Sequence, residues 1–239
     1  SYVHAASGLS LGKLLSHAET DISHRAKLNA EISSLTGRSH VIGITGGGGV
    51  GKSSIINELT KYFRSNNQRV GILSVDPSSA LTGGALLGDR IRMSSHFLDE
   101  GVFIRSFATR GQLGGLSSSV QTALSVLDVA GYDVILIETV GTGQTDVDLR
   151  YIADTVVLVL LPDSGDAVQF LKAGSLETAD IYVVNKSDRG NSKRLLTELK
   201  ATLTLNDDSV SDELVVMETS AITRNDIGIT KLAEHLDRI

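Results

Sequence analysis

Seven short runs of β-branched and aliphatic residues mark the chain, at Val41–Thr45, Val70–Val75, Val102–Ser106, Val134–Thr139, Thr155–Leu161, Ile181–Asn185 and Leu214–Thr219. The segments between them mostly place apolar residues at helical spacing. Alternation of this kind predicts an α/β fold, a mainly parallel central sheet flanked by helices. Several runs are apolar at consecutive positions, so both faces of those strands should be covered, with right-handed crossovers between them. Ahead of the first run, Leu11, Leu14, Leu15, Ala18, Ile22, Leu28 and Ile32 recur near helical spacing until Thr36-Gly37-Arg38 interrupts the pattern. The reading is an N-terminal helical extension over residues 1–40 packed on a single domain over 41–239. No internal repeat or low-complexity linker divides the 239 residues further.

In open parallel sheets a ligand lies beyond the carboxyl ends of the strands. The residues that follow these runs are nearly all polar or glycine: Gly46–Ser53, Asp76–Ser79, Glu138–Gly141, Pro162–Gly165, Asn185–Asp188 and Ser220-Ala221. The first of them fits GxxxxGKS/T in full, between a strand-like run and a helix-like run with Ile55, Ile56, Leu59 and Phe63 at helical spacing. Glycines let successive N–H groups turn onto one anion, and the following helix presents its positive end. Lys52 adds a charge for the outer phosphates, and Ser53 offers a hydroxyl to Mg2+. Gly47, Gly48, Gly49, Val50, Gly51, Lys52, Ser53 and Ser54 are the expected phosphate-binding run. A plain glycine-rich turn is the alternative, and the matched strand and helix argue against it.

Asn185-Lys186-Ser187-Asp188 fits N-K-x-D at the end of an apolar run. A carboxylate at Asp188 can accept from both N1–H and the exocyclic amine of guanine, which adenine does not offer, and the Lys186 stem can cover the ring. A helix-capping Asp188 is the bland reading. Ser220 and Ala221 follow the last run and could offer backbone N–H groups to guanine O6. Glu138-Thr139-Val140-Gly141 stands where phosphate-loop NTPases carry an acid near Mg2+ and a glycine N–H that senses the γ-phosphate, here Gly141. The acid is Glu rather than Asp, and its length suits a metal-bound water or an outer contact better than direct coordination. Asp76 and Asp89 are further metal candidates, Asp89 within a glycine-rich segment, Thr82 to Arg90, that reads as a switch loop or an ordinary surface loop.

At this point the chain resembles, nearly end to end, the MeaB/ArgK family of G proteins, known in animals as methylmalonic aciduria type A proteins. The resemblance rests on Val75-Asp76-Pro77-Ser78-Ser79, Thr82-Gly83-Gly84, Leu87-Gly88-Asp89-Arg90 with Arg92-Met93, and Arg110-Gly111 with Leu113-Gly114-Gly115. It rests also on Glu138-Thr139-Val140-Gly141 with Gly143-Gln144 and on Asn185-Lys186-Ser187-Asp188. It implies a SIMIBI-class GTPase fold, GTP and GDP with Mg2+, and service to an adenosylcobalamin-dependent acyl-CoA mutase. It also implies that Lys52, Asp76 and Glu138 act in catalysis and that Ser53, Asp76, Asp89 and Glu138 surround the metal. Arg90, Arg92 and Gln144 would belong to segments that follow nucleotide state. Asp166, Gln169 and Lys172 would couple that state to the mutase, in a stretch that otherwise reads as a loop entering a helix. Gly83 to Met93 also resembles the G domain of fused isobutyryl-CoA mutases. The loop itself reads Gly46-Gly47-Gly48-Gly49-Val50 where many members carry a proline, with the spacing intact. A homodimer is compatible with the resemblance, although members continue into a helical dimerisation arm and this sequence stops at Ile239.

The implied activity is slow GTP hydrolysis completed by a partner, since Gln144, not a residue next to Gly141, is the nearest glutamine; Arg90 or Arg92 is a weaker internal supplement. It would gate cofactor loading on the mutase. Three alternatives stand beside it: a kinase acting on a basic amino acid or a protein, a metal-insertion GTPase, and an adaptor that holds GTP without hydrolysing it.

Composition narrows these. The chain has no cysteine, which removes disulfides, zinc–thiolate sites and thiol catalysis, and disfavours metal insertion. Its histidines, His4, His17, His24, His40, His96 and His235, form no close ligand pair, with His17 and His24 sharing a helix face at best. A net charge of -6 without a dense Lys/Arg tract argues against nucleic acid. The longest apolar run, Val156 to Leu161, is far short of the roughly 20 residues a spanning helix needs, so no membrane is expected. A cytoplasmic protein is the expectation, or a matrix protein if eukaryotic. The sequence opens at Ser1 with nothing like a leader peptide, and a trimmed terminus is the reading.

Overall fold

The computed structural model describes residues 8–76, 94–108, 118–139, 149–162, 179–206, 215–223 and 225–239. All seven predicted runs are strands: β1 (His40–Thr45), β2 (Val70–Asp76), β3 (Val102–Ala108), β4 (Val134–Thr139), β5 (Thr155–Leu160), β6 (Ile181–Asn185) and β7 (Val215–Thr219). They form one sheet in the order β3-β2-β4-β1-β5-β6-β7. Every pairing is parallel. From β1 the chain builds β2, β3 and β4 on one side, then crosses to build β5, β6 and β7 on the other. The strand order therefore reverses at β1, which places the crevice of the sheet at the carboxyl end of that strand.

Six helices cover the sheet among the described residues: α1 (Gly8–Thr20), α2 (Ile22–Ile32), α3 (Lys52–Ser65), α4 (Ser118–Val129), α5 (Ser192–Asn206) and α6 (Ile227–Leu236). The two-residue period of the strands sorts the core into layers. Ile42, Ile44, Ile72, Leu136, Val157, Val159 and Val183 pack with Ile55, Ile56, Leu59 and Phe63 of α3 and Leu232 and Leu236 of α6. On the opposite face, Leu73, Val75, Ile135, Ile137 and Val156 pack with α1, α2 and α4. Farther along that face, Leu158, Leu160, Tyr182 and Val184 meet Leu195, Leu199 and Leu203 of α5. All six residues of β4 and all six of β5 are buried, as their apolar runs require for strands covered on both sides.

The N-terminal extension departs from a single helical run. It is two helices, broken at Asp21, which is extended in backbone and whose carboxylate Oδ1 caps α2 by accepting from the N–H groups of Ser23 at 2.8 Å and His24 at 3.1 Å. His17 and His24 consequently lie on separate helices, not one face, with their rings edge to face at 5.8 Å. Arg105 of β3 ties α1 to the sheet edge: its guanidinium donates to Gly12 O at 3.0 Å and to Ser16 Oγ at 3.2 Å, and pairs with Glu19. Asp128 of α4 holds the link into β1 by accepting from the N–H groups of Gly37, Arg38 and Ser39. Among the described residues no helix is long and apolar enough to cross a membrane.

Candidate functional site

Beyond Thr45 the chain turns back through Gly46, Gly49 and Gly51, with φ of 139°, 73° and 102°. Two of these glycines are required by space as well as by conformation. A Cβ on Gly46 would stand 2.2 Å from the carbonyl oxygen of Val159 on β5, and one on Gly51 would stand 2.3 Å from Asn185 Nδ2 on β6. The loop is thus drawn tightly across the ends of the two strands on that side of β1. Gly51 is the N-cap of α3 and supplies no side-chain cap, whereas Asp21 and Asp226 cap α2 and α6 with their carboxylates. No capping oxygen from Gly51 competes with an anion at the positive end of α3.

Lys52 begins α3 and folds back over the loop. Its ammonium donates to the carbonyls of Gly46 at 2.8 Å and Gly47 at 2.9 Å, and the residue is 7% exposed. A largely desolvated cation over a glycine cradle is a fit for a chain of phosphates, because its attraction for an anion is far less screened there than in water.

Glu138 lies beside Ile44 in the register of β4 with β1, and beside Ser74 in its register with β2. It accepts from the Ser53 hydroxyl at 2.8 Å through Oε1, and is 9% exposed. A hydroxyl and a carboxylate meeting at the mouth of the loop match the oxygen ligands that a hard divalent cation prefers. Of the four predicted metal residues, these two are brought together. Asp76 ends β2, opposite Ala108 of β3. The side chain of Asp76 and the whole of Asp89 lie outside the described residues, as do Arg90, Arg92, Gly141, Gln144, Asp166, Gln169 and Lys172.

The N-K-x-D motif is fastened directly to the phosphate loop. Asn185, 1% exposed, donates from Nδ2 to Val50 O at 2.8 Å, and Lys186 donates from Nζ to Gly49 O at 2.7 Å. Asn185 Oδ1 accepts from the Thr219 hydroxyl at 3.0 Å and from the Ala221 N–H at 3.2 Å. One amide thereby joins the ends of β6 and β7 to the loop after β1. Lys186 takes up a left-handed backbone, φ 60°, which starts the short 3-10 turn Ser187–Arg189 that carries Asp188. Asp188 Oδ1 accepts from the Ser220 hydroxyl at 2.7 Å, and the Ser220 and Thr223 hydroxyls are 2.7 Å apart.

The predicted residues from Gly47 to Ser54 therefore adjoin Glu138, Asn185, Lys186, Asp188, Ser220 and Ala221 along one rim of the sheet. Thr219 and Thr223 were not foreseen. Thr219 is fully buried at the end of an edge strand, and its sequence neighbours carry no pattern that would single it out. Only the pairing of β6 with β7, Asn185 opposite Thr219, brings its hydroxyl to the amide.

A family model described as methylmalonyl Co-A mutase-associated GTPase MeaB matches residues 11–239. The chain belongs to the MeaB family. A relative in Pyrococcus horikoshii, named as a candidate GTPase, is 51% identical over 195 residues, which is 82% of this chain and 62% of the relative. This chain accordingly spans less than two thirds of that relative's length. A fused isobutyryl-CoA mutase of Nocardia farcinica is 40% identical over 203 residues, covering 82% of this chain and 19% of the mutase. Among solved structures, LAO/AO transport system kinase superposes with a TM-score of 0.76 at 21% identity, over 99% of this chain and 72% of that one. At that identity the likeness speaks for the fold alone, a parallel sheet flanked by helices.

Proposed function

We propose that this MeaB-family chain binds guanine nucleotide along the rim described above and hydrolyses GTP, and that the hydrolysis gates adenosylcobalamin loading or protection on an acyl-CoA mutase. The observation that carries the reading is the attachment of the N-K-x-D motif to the phosphate loop through Asn185 and Lys186. A base held at Asp188 and phosphates held at Lys52 would then belong to one ligand. In this reading residues 1–40 are an extension to a GTPase domain over 41–239.

In the proposed reaction, water attacks the γ-phosphate. Gly47 to Ser54 cradle the phosphates through backbone N–H groups, and Lys52 neutralises charge that spreads over the equatorial oxygens. The site would hold a Mg2+ ion, which would supply positive charge against the phosphates. Ser53 is the residue to hold it, with Glu138 oriented by the Ser53 hydroxyl, and Asp76 and Asp89 are the further proposed acids. Asp188 would accept from the guanine edge, kept in place by Ser220. Asp166, Gln169 and Lys172 are the proposed coupling residues toward the mutase. The identity of 40% with part of a fused isobutyryl-CoA mutase supports a mutase as the partner.

The test is GTP turnover by the purified chain, alone and with acyl-CoA mutases from the same genome, with GDP resolved from any phosphorylated acceptor. Acceleration by one mutase is the expected result. A phosphorylated basic amino acid or protein formed as fast as GDP would make the chain a kinase. GTP retained intact in every mixture would make it a non-hydrolysing adaptor.

A further inference from the structure

Ser220 follows β7 directly and is buried, while Asp188 stands in the turn after β6. The Ser220 hydroxyl oxygen lies 2.7 Å from Asp188 Oδ1 and 2.7 Å from Thr223 Oγ1. The three side chains therefore form a short hydrogen-bonded chain, and chemistry fixes its direction. A carboxylate only accepts, and a serine hydroxyl has one proton to give. Ser220 gives that proton to Asp188, so in its contact with Thr223 it accepts, and the Thr223 hydroxyl is the donor. The order of donation runs from Thr223 to Ser220 to Asp188.

The backbone sets where Thr223 stands. Its N–H donates to the Ser220 carbonyl at 2.8 Å, which closes a turn over Ser220, Ala221, Ile222 and Thr223. The same turn is tied to the phosphate-loop side by the Ala221 N–H, which donates to Asn185 Oδ1 at 3.2 Å. Asp188, for its part, needs an outside hold on its carboxylate. The torsion that turns a carboxylate plane about its Cβ–Cγ bond is broad, so the side chain's own rotamer does not fix that plane. A base edge with two parallel N–H donors, as guanine presents, is met only when the carboxylate lies in the plane of the base. An edge with a single N–H is served by either oxygen over many rotations.

We propose that Thr223 is a specificity-determining positioning residue. By donating to Ser220 it aims the hydroxyl that sets the plane of Asp188, and so favours a base with two donors over a base with one. The inference rests on the guanine-nucleotide reading above. Thr223 does not touch the base in this scheme and acts through Ser220 alone. Hydrogen bonds in a chain polarise one another, so the donor at Thr223 makes the Ser220 proton a stronger donor to the carboxylate. Thr223 is exposed, so water partly replaces its hydroxyl when that is removed, and the effect has the size of one net hydrogen bond.

The experiment is isothermal titration of the full chain and its variants with GDP and with inosine diphosphate, which lacks the C2 amine. The wild-type chain is expected to prefer GDP. Thr223→Val keeps the branched shape and removes the donor. It is expected to reduce the preference about threefold to tenfold, through weaker GDP binding, with inosine diphosphate affinity held within about twofold. Thr223→Ser retains the hydroxyl and is expected to keep the wild-type ratio. Because Thr223 acts through Ser220, adding Thr223→Val to Ser220→Ala is expected to change the ratio by less than about twofold. Equal weakening of both nucleotides by Thr223→Val would mark a purely structural role and overturn the proposal. A full, independent effect of Thr223→Val on the Ser220→Ala background, or loss of the ratio in Thr223→Ser, overturns it as well. An unchanged ratio in Thr223→Val beside a wild-type preference for GDP removes the relay and leaves the guanine reading standing. A wild-type chain that does not distinguish the two nucleotides, or binds neither, removes the guanine reading itself and the relay with it.

Discussion

The hydroxyl of Ser53 and the carboxylate of Glu138 meet at 2.8 Å, joining the first turn of α3 to the end of β4. A residue defined by the phosphate-loop motif is thereby oriented by a residue from the neighbouring strand. The contact makes Glu138 part of the rim and sets up a separation of binding from turnover.

Glu138→Gln keeps an oxygen for Ser53 and removes the charge. In the proposed mechanism it should lower kcat for GTP on the order of 10²-fold, the scale of losing one aligned electrostatic contact, while GDP affinity in the absence of Mg2+ changes little. Steady-state kinetics beside fluorescence titration with GDP would measure both. An unchanged kcat would exclude Glu138 from the chemistry.

Asp188→Asn should weaken GTP binding and improve xanthosine triphosphate binding, because an amide can donate to the C2 carbonyl of xanthine where a carboxylate cannot. Ser220→Ala, which removes the hydroxyl donated to Asp188 at 2.7 Å, should weaken GTP by about 1–3 kcal/mol without that exchange of preference. Competition binding with the two triphosphates checks both variants. An equal response of Asp188→Asn to both nucleotides would take Asp188 out of base recognition.

Asn185 donates to the phosphate loop and accepts from Thr219 and Ala221, so Asn185→Asp is a sharper probe than its size implies. The carboxylate retains the acceptor side but sets an anion against Val50 O, where the amide donated at 2.8 Å. A cost of about 1–3 kcal/mol in nucleotide affinity is expected, at least as large as that of Asn185→Ala. Isothermal titration of GDP would show it. A milder effect of Asp than of Ala would mean that the contact with Val50 does not hold the loop.

Two histidines predict a pH dependence of stability. Burial holds His40 below the ordinary histidine value, beside the Thr155 hydroxyl at 2.9 Å, and holds His96 below it as well, beside Asn57 Oδ1 at 3.0 Å. With folded values depressed, the unfolded chain binds more protons as the pH falls through the ordinary value of 6.5. Their contribution is therefore complete above that pH and declines below it. Melting temperatures between about pH 5 and pH 8 should fall on the acid side, and His40→Gln with His96→Gln should flatten that slope. A slope unaltered in the double variant would assign the acid sensitivity to other groups.

Much of this architecture was legible in the chain because its causes are local. Strand runs such as Val134–Ile137 are apolar at consecutive positions since both faces of a central parallel strand are covered. The phosphate loop was legible because glycine, lysine and serine at set offsets meet a geometric need that few other residues meet. Asn185 and Asp188 were legible for the same reason, as a short motif at the end of an apolar run. The break at Asp21 was not, since the apolar residues on either side continue the same helical period and only a capping carboxylate divides them.

Tertiary structure decided the rest. That Asn185 is held by Thr219, 34 positions away, follows from strands pairing in one register. That Lys186 reaches Gly49 across 137 positions follows from β1 and β6 ending at one rim. Gly43 reads in the sequence as one more small residue in a strand, and only the packing of the buried Leu149 side chain against it shows why a side chain has no room there. Sequence by itself determined the elements and the motif chemistry, which depend on neighbours a few residues apart. Strand order, register and crossover packing depend on which distant surfaces exclude water and each other, and those determined how the motifs are held together.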